Sequence, residues 1–211
     1  MKRHLYIQRQ ADVVIPYLRD AKTVLDFGCG DLSLTRELTR TLPAVKLTGV
    51  DVVDSKVRIP RVTFRLYDGT RLPFGANTFD TTIAYHVFHH CRDPKAALKD
   101  VMRVTKKQIL MVEPCLPAGR RSGLDLFLMK ILDRIGNGWR NVAIPMPFTF
   151  QKEETWRRWA GEKKWTVYTV LPAGVLPAWL PFGVTKLFVL RARGATMTTP
   201  TKQGKETFVA G

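Results

Sequence analysis

Apolar and polar positions along the chain follow two periods that exchange places at regular intervals. From Leu5 to Arg19 apolar side chains recur at helical spacing, predicting a first helix with a bend at Pro16. Thr23–Phe27 is a compact, mostly apolar run and predicts a strand. It ends in the glycine-rich turn Gly28-Cys29-Gly30, after which Leu34, Leu38 and Leu42 repeat every four residues and predict a helix over Ser33–Leu42, stopped by Pro43. Further strands are predicted at Val45–Val50, Arg61–Tyr67, Phe79–Tyr85 and Gln108–Val112, with a helix over Pro94–Thr105. Beyond the fifth strand, Lys152–Gly161 reads as a helix, and Trp165–Leu171 and Lys186–Arg193 read as two more strands joined by a long proline-containing loop.

Strands alternating with helices imply an α/β fold: a mostly parallel, seven-stranded sheet with helices on both faces. In such sheets ligands sit beyond the carboxyl ends of the strands, and Asp26, Asp51, Asp68 and Glu113 all fall there. Residues 115–150 break the alternation. Within them Leu124–Ile135 is apolar nearly all round and predicts a helical insert after strand five. The expected organisation is one domain over residues 1–194, with 115–150 as an insert, and a small, polar, flexible tail over 195–211.

Composition narrows the partners. With 211 residues, 45% of them hydrophobic, the chain can bury one sizeable core. Cys29, Cys91 and Cys115 form no CxxC pair, so neither a disulfide framework nor a structural metal is expected. The N-terminal segment lacks an apolar leader, and the uncharged run Val170–Thr185 contains three prolines and is too short to span a bilayer. A cytoplasmic protein, peripheral to membranes at most, is expected. The formal charge of +16 is spread along the chain and suits anionic partners such as RNA or an anionic membrane surface, though a high isoelectric point also serves solubility alone.

The glycine turn identifies the candidate chemistry. A dinucleotide fingerprint would require a third glycine at position 33, which is Ser33. The run Val24–Gly30 (VLDFGCG), Asp51 closing the second strand, Asp68 closing the third, and LPFGANTFDTTIAYHVFHHCRDP over Leu72–Pro94 together resemble the class I S-adenosylmethionine-dependent methyltransferases. The likeness covers about residues 20–114 and is nearest to the small-molecule branch that includes ubiquinone and menaquinone biosynthesis enzymes. Phe188–Arg193 (FVLRAR) is similar to that family's final strand. The resemblance implies a Rossmann-like class I fold, S-adenosyl-L-methionine as cofactor, residues 115–150 as a lid that covers the substrate, and a cofactor site made by Asp26, Gly28, Gly30, Asp51, Val52, Asp68 and Gly69. In it Gly28 and Gly30 admit the methionine portion, Asp26 holds its ammonium, Asp51 takes the ribose hydroxyls, Val52 flanks the adenine, and Asp68 with the Gly69 N–H reads the adenine edge. Two departures stand out. Position 32 carries leucine where the family usually has a third glycine, and Arg103–Lys107 runs straight into the fifth strand without the usual proline-glycine-glycine turn.

Methyl transfer from a sulfonium is a direct displacement, so alignment and exclusion of water matter most. Where a general base is added, His86 is the first candidate and Glu113 the second; His89 and His90 are read as supports of the loop. Ala84-Tyr85-His86-Val87 after strand four lacks the polar-proline-proline-aromatic signature of nucleic-acid amino methylation, and Cys115 is read as a pocket-lining thiol. The expected reaction is O- or C-methylation of a small, hydrophobic acceptor, with Trp139, Met146, Phe148 and Trp179 lining its pocket. The alternatives are an RNA or protein methyltransferase that uses the basic surface, and a non-catalytic protein that keeps the fold and binds RNA or an anionic membrane.

Overall fold

The computed structural model describes residues 3–116, 123, 127, 130–131, 147, 149–173 and 184–196. Helix α1 (Arg3–Val14) runs into a 3-10 turn at Ile15–Tyr17, where Pro16 ends the α-helical hydrogen bonding as its missing N–H requires. Strand β1 (Thr23–Phe27) leads through the glycine turn into α2 (Ser33–Thr41), and then β2 (Lys46–Asp51), β3 (Val62–Leu66) and β4 (Phe79–Tyr85) follow. A 3-10 turn (Phe88–His90) and α3 (Pro94–Val104), capped by Asp93 accepting the Ala96 N–H at 2.9 Å, precede β5 (Thr105–Leu116). The remaining described elements are β6 (Gln151–Lys152), α4 (Glu153–Gly161), β7 (Trp165–Pro172) and β8 (Val184–Ala192).

The strands form one sheet in the order β3-β2-β1-β4-β5-β8-β7. Neighbours from β3 to β5 are parallel, and β8 is antiparallel to both β5 and β7. The sequence predicts seven strands and the described residues form eight, because the two-residue β6 pairs with the end of β5 beside the main path. Two residues are too few to carry a period. Strand β5 is also longer than its apolar stretch: Lys106 and Lys107 hide its start and Glu113-Pro114 its end, yet it pairs from Thr105 opposite Phe79 to Cys115 opposite Val184.

Alternation along the strands divides the core into two layers. One face buries Leu25, Phe27, Val50, Met111 and Phe188 against Leu98, Val101 and Met102 of α3 and Trp156 and Ala160 of α4. The other buries Val24, Leu47, Ile83, Leu110 and Val189 against Ala11 and Val14 of α1 and Leu34 and Leu38 of α2. In place of a proline-glycine-glycine turn, Val104 passes directly into Thr105. The Thr105 hydroxyl closes the junction by donating to the Val101 carbonyl at 2.7 Å and lying 2.5 Å from the Thr82 hydroxyl.

Of the predicted helix Leu124–Ile135, Phe127, Lys130 and Ile131 are described and helical, and Phe127 and Ile131 are exposed. Most of the lid, nearly all of the tail, the loop before β8 and the expected pocket residues Trp139, Met146, Phe148 and Trp179 lie outside the described residues.

Candidate functional site

Beyond the carboxyl end of β1 the chain hooks onto β2: the N–H groups of Gly28 and Cys29 both donate to the Val50 carbonyl, at 2.9 and 3.2 Å. Gly28 and Gly30 take positive φ (71° and 52°), which glycine adopts without steric cost. They differ in what lies above them. A Cβ on Gly28 would stand 2.1 Å from Val87 Cγ2, so Gly28 is glycine because the loop after β4 presses on it. A Cβ on Gly30 would meet nothing within 4 Å, so Gly30 opens onto free space.

That space is bordered by Asp51. Its Oδ2 accepts the Gly30 N–H at 2.7 Å and its Oδ1 the Val53 N–H at 3.0 Å, which fixes the carboxylate across the turn. Val52 stands 38% exposed, a partly wetted apolar surface next to a charged group. Gly69 approaches it, with an added Cβ only 3.3 Å from Val52 Cγ1. Asp68 is exposed, and its Oδ1 accepts from both the N–H and the hydroxyl of Thr70 at 2.9 and 2.7 Å; these bonds hold its carboxyl below the usual range. Gly28, Gly30, Asp51, Val52 and Gly69 are therefore brought together, while Asp68 closes its own turn at the margin.

Asp26 lies beneath the turn rather than in the open space. It is buried, and its Oδ2 accepts the Thr35 hydroxyl of α2 at 2.5 Å. Burial pushes its carboxyl up, the Thr35 bond partly opposes this, the Asp51 charge adds to it, and the result is about 6. Sequence reasoning does not single out Thr35, although a polar residue between Leu34 and Leu38 on the buried face of α2 is a readable signal.

Leu32 accounts for its own departure from the family pattern. It adopts φ 60° as the N-cap of α2, the backbone state that favours glycine, and its carbonyl accepts the Arg36 N–H at 2.9 Å. The side chain is completely buried and turns toward β2, where a Cβ on Gly49 would lie 2.7 Å from Leu32 Cδ2. The left-handed backbone costs about 1 kcal/mol, and burying the leucine returns about 2 kcal/mol, so burial outweighs the strain. The leucine occupies room that Gly49 leaves and does not enter the open space above Gly30.

The second group of residues joins β4 to β5. His86, at φ 56°, donates its N–H to the Val112 carbonyl at 2.8 Å. Glu113 is buried: Oε1 accepts the N–H groups of Val87 and Phe88 at 2.8 and 2.7 Å, and Oε2 lies 2.6 Å from His89 Nδ1. Burial presses the Glu113 carboxyl upward, but the His89 ring, by charge and by hydrogen bond, then His86 and the Phe88 N–H, outweigh it and hold it below its ordinary range. His89 stacks on Phe150 at 4.9 Å and its carbonyl accepts the Thr149 N–H. His89 thus supports the loop, as the sequence suggests. Cys115 is buried in the core rather than lining a pocket, and burial followed by Glu113 pushes its thiol up to about 12. Among the described residues no group of three His, Cys, Asp or Glu is placed to hold a metal ion, and no helix is long and apolar enough to cross a membrane.

An electron-rich carboxylate across a glycine turn, an apolar shelf and open space above Gly30 fit a nucleoside whose other end carries a charged amino acid. Comparison with known proteins agrees. Residues 25–112 match the family model of the methyltransferase domain. An uncharacterised methyltransferase of Schizosaccharomyces pombe is 31% identical over a region covering 44% of this chain and 39% of its own length, so the chain spans well under half of that relative. Among solved structures, an S-adenosylmethionine-dependent methyltransferase from Aquifex aeolicus superposes with a TM-score of 0.61 at 16% identity, covering 90% of this chain and 93% of that one. Mitomycin 7-O-methyltransferase superposes with a TM-score of 0.63 at 17% identity, covering 89% and 54%. Such identities bear on the fold alone. Over residues 25–112, less than half of its length, the chain is similar to the methyltransferase-domain family.

Proposed function

We propose that the protein transfers a methyl group from S-adenosylmethionine to a small, hydrophobic acceptor, at oxygen or carbon. The observation that carries the reading is the pairing of Asp51 with Gly30 beside open space, with Leu32 turned into the core and out of the way. Bound there, the cofactor supplies a methyl group activated by a sulfonium. The chain's own residues do the rest. Gly30 leaves room for the methionine portion, and Asp51, freed in part from its backbone donors, accepts the two ribose hydroxyls. Val52 and Gly69 flank the adenine, with Asp68 at its edge, and Asp26 provides a negative charge from beneath the turn for the ammonium.

His86 stands at the end of β4 as the group to accept a proton from a hydroxyl acceptor. Glu113 is proposed as a positioning residue, because its carboxylate is buried and occupied by two N–H groups and His89. Through the Val87 N–H it sets the loop whose side chain rests on Gly28. Exposed Phe127 and Ile131, four residues apart and both helical, favour a lipophilic acceptor; the enzyme is proposed to be cytoplasmic, touching a membrane surface at most. RNA or protein methylation is the second reading, and a non-catalytic binding role the third.

Calorimetry with S-adenosylmethionine and S-adenosylhomocysteine tests the proposal. Micromolar binding by the wild type, weakened by at least about tenfold in Asp51→Ala through loss of charge-assisted bonds, is expected. Transfer of labelled methyl to lipophilic acceptors is the second arm. A folded wild type that binds neither compound would overturn the reading.

A further inference from the structure

At the opposite ends of the strands the sheet carries a second concavity, about 560 Å3 in volume, that the methyltransferase reading does not use. Its walls come from the C-terminal part of α2, the segment Pro43–Thr48, Arg61 before β3, and the starts of β1 and β4. The volume is in the range of small-ligand sites, roughly 300–1,000 Å3. The lining is basic and rich in hydroxyls: Lys46 and Arg61, with Thr23, Thr39, Thr48, Thr63 and Thr78, and no carboxylate.

Several details give this cleft a preference for anions. Arg61 holds a positive φ of 68°, costly for a side chain other than glycine, and its guanidinium donates to the Pro43 carbonyl, which keeps the cation at the rim. Thr48 and Thr63 are register partners across β2 and β3, so their side chains share one face of the sheet. Thr39 and Thr78 already donate to the carbonyls of Thr35 and Gly75, and the Thr23 hydroxyl is taken up by Asp80, which leaves Thr48 and Thr63 as the hydroxyl donors. Asp80, which bonds the lining residue Thr23, is occupied: it accepts the N–H groups of Lys22 and Thr23 at 3.0 and 3.3 Å and lies 3.2 Å from Lys107 Nζ. Lys46 and Arg61 are exposed and face the cleft with no carboxylate among its lining.

We propose that this cleft binds a phosphate-bearing ligand. Two cations with two hydroxyl donors on a flat sheet suit phosphate oxygens, and the formal charge of +16 draws such a ligand toward the surface. The cleft lies at the opposite end of the strands from the glycine turn, since Lys46 and Asp51 are five residues apart on β2, about 16 Å. A ligand held there is a tether or an effector and not the methyl acceptor.

Inorganic pyrophosphate and a single-stranded RNA decamer, titrated at low salt into wild type and into the double variant Lys46→Gln, Arg61→Asn, separate a free phosphate compound from a nucleic-acid backbone. Asparagine tolerates the left-handed backbone at position 61, so the variant should keep its fold, and unchanged S-adenosylhomocysteine binding or an unchanged circular-dichroism spectrum checks this. Expected is binding of at least one probe, weakened about tenfold in the variant. For RNA, the salt slope should also fall by about 1.4, the share of two phosphate contacts. Binding of pyrophosphate points to a small phosphate compound, and binding of RNA alone points to a polymer backbone. No binding of either probe by the wild type overturns the proposal, and so does equal binding by the folded double variant.

Discussion

A carboxyl group sealed beneath the glycine turn is penalised as an ion, and Asp26 is raised by burial from 3.8 to about 6 even though Thr35 donates to it. For an acid raised in the folded state, the stability it contributes is complete below 3.8 and is lost as pH rises through about 6. A rise of that size corresponds to about 3 kcal/mol of destabilisation once the group is ionised. Asp26→Asn keeps an acceptor for Thr35 and removes the charge. Its expected effect is a gain of about 1–3 kcal/mol in denaturant unfolding at pH 8, shrinking toward zero near pH 4, together with weaker S-adenosylmethionine binding. Equal stability of variant and wild type at pH 8 would show that Asp26 is not held at that cost. The type and place of Asp26 are readable from VLDFGCG. Its direction is not, because strand alternation does not tell whether a residue at a strand end faces the ligand or the helix behind it, and Thr35 decides that. Leu32 is readable as a departure for a similar reason, while its solution depends on Gly49, a residue on another strand.

The elements are legible where periodicity runs for several residues. β1 and β4 fall on their expected bounds, and α2, α3, β7 and β8 differ from theirs by one or two residues at an end. The 3-10 turn Phe88–His90 is not, since its form is imposed from β5: Glu113 gathers two N–H groups and a histidine that sequence separates by about two dozen positions. Glu113 is depressed in the fold, so its contribution is present above its ordinary value of 4.5 and is lost as pH falls through its lower folded value. Glu113→Gln replaces a charged acceptor in a buried site. The expected loss is about 2–4 kcal/mol at pH 7, diminishing in acid, because breaking such a buried pair leaves groups unsatisfied. If positioning of Val87 is its function, kcat/KM for any accepted substrate falls further than the loss of stability explains, while an engineered stabilising background restores Tm but not rate. A variant whose rate recovers along with its Tm would assign Glu113 to structure alone.

Across the whole molecule the sheet has two chemically different rims, one made of acids and glycines beyond the carboxyl ends and one made of cations and hydroxyls at the amino ends. The first is legible because its residues recur at each strand end; the second is not, since Lys46, Arg61, Thr48 and Thr63 carry no motif and become neighbours only when β2 pairs with β3. A parallel sheet buried on both faces is a rigid spacer, and the residues between the rims on β2, Leu47 and Val50, are core residues without an alternative arrangement in view. Ligands at the two rims should therefore stabilise independently. S-adenosylhomocysteine at a hundred times its dissociation constant contributes about 2.7 kcal/mol, which for a chain of this size raises Tm by about 5–10 °C. Pyrophosphate should add its own increment to that rise, and each increment should vanish with its own variant: the first with Asp51→Ala, the second with Lys46→Gln, Arg61→Asn. Differential scanning calorimetry of the wild type with each ligand and with both measures this directly. A combined rise different from the sum would mean that one ligand changes the other's affinity by the same factor in both directions, and the sheet would then be a coupling element and not a spacer.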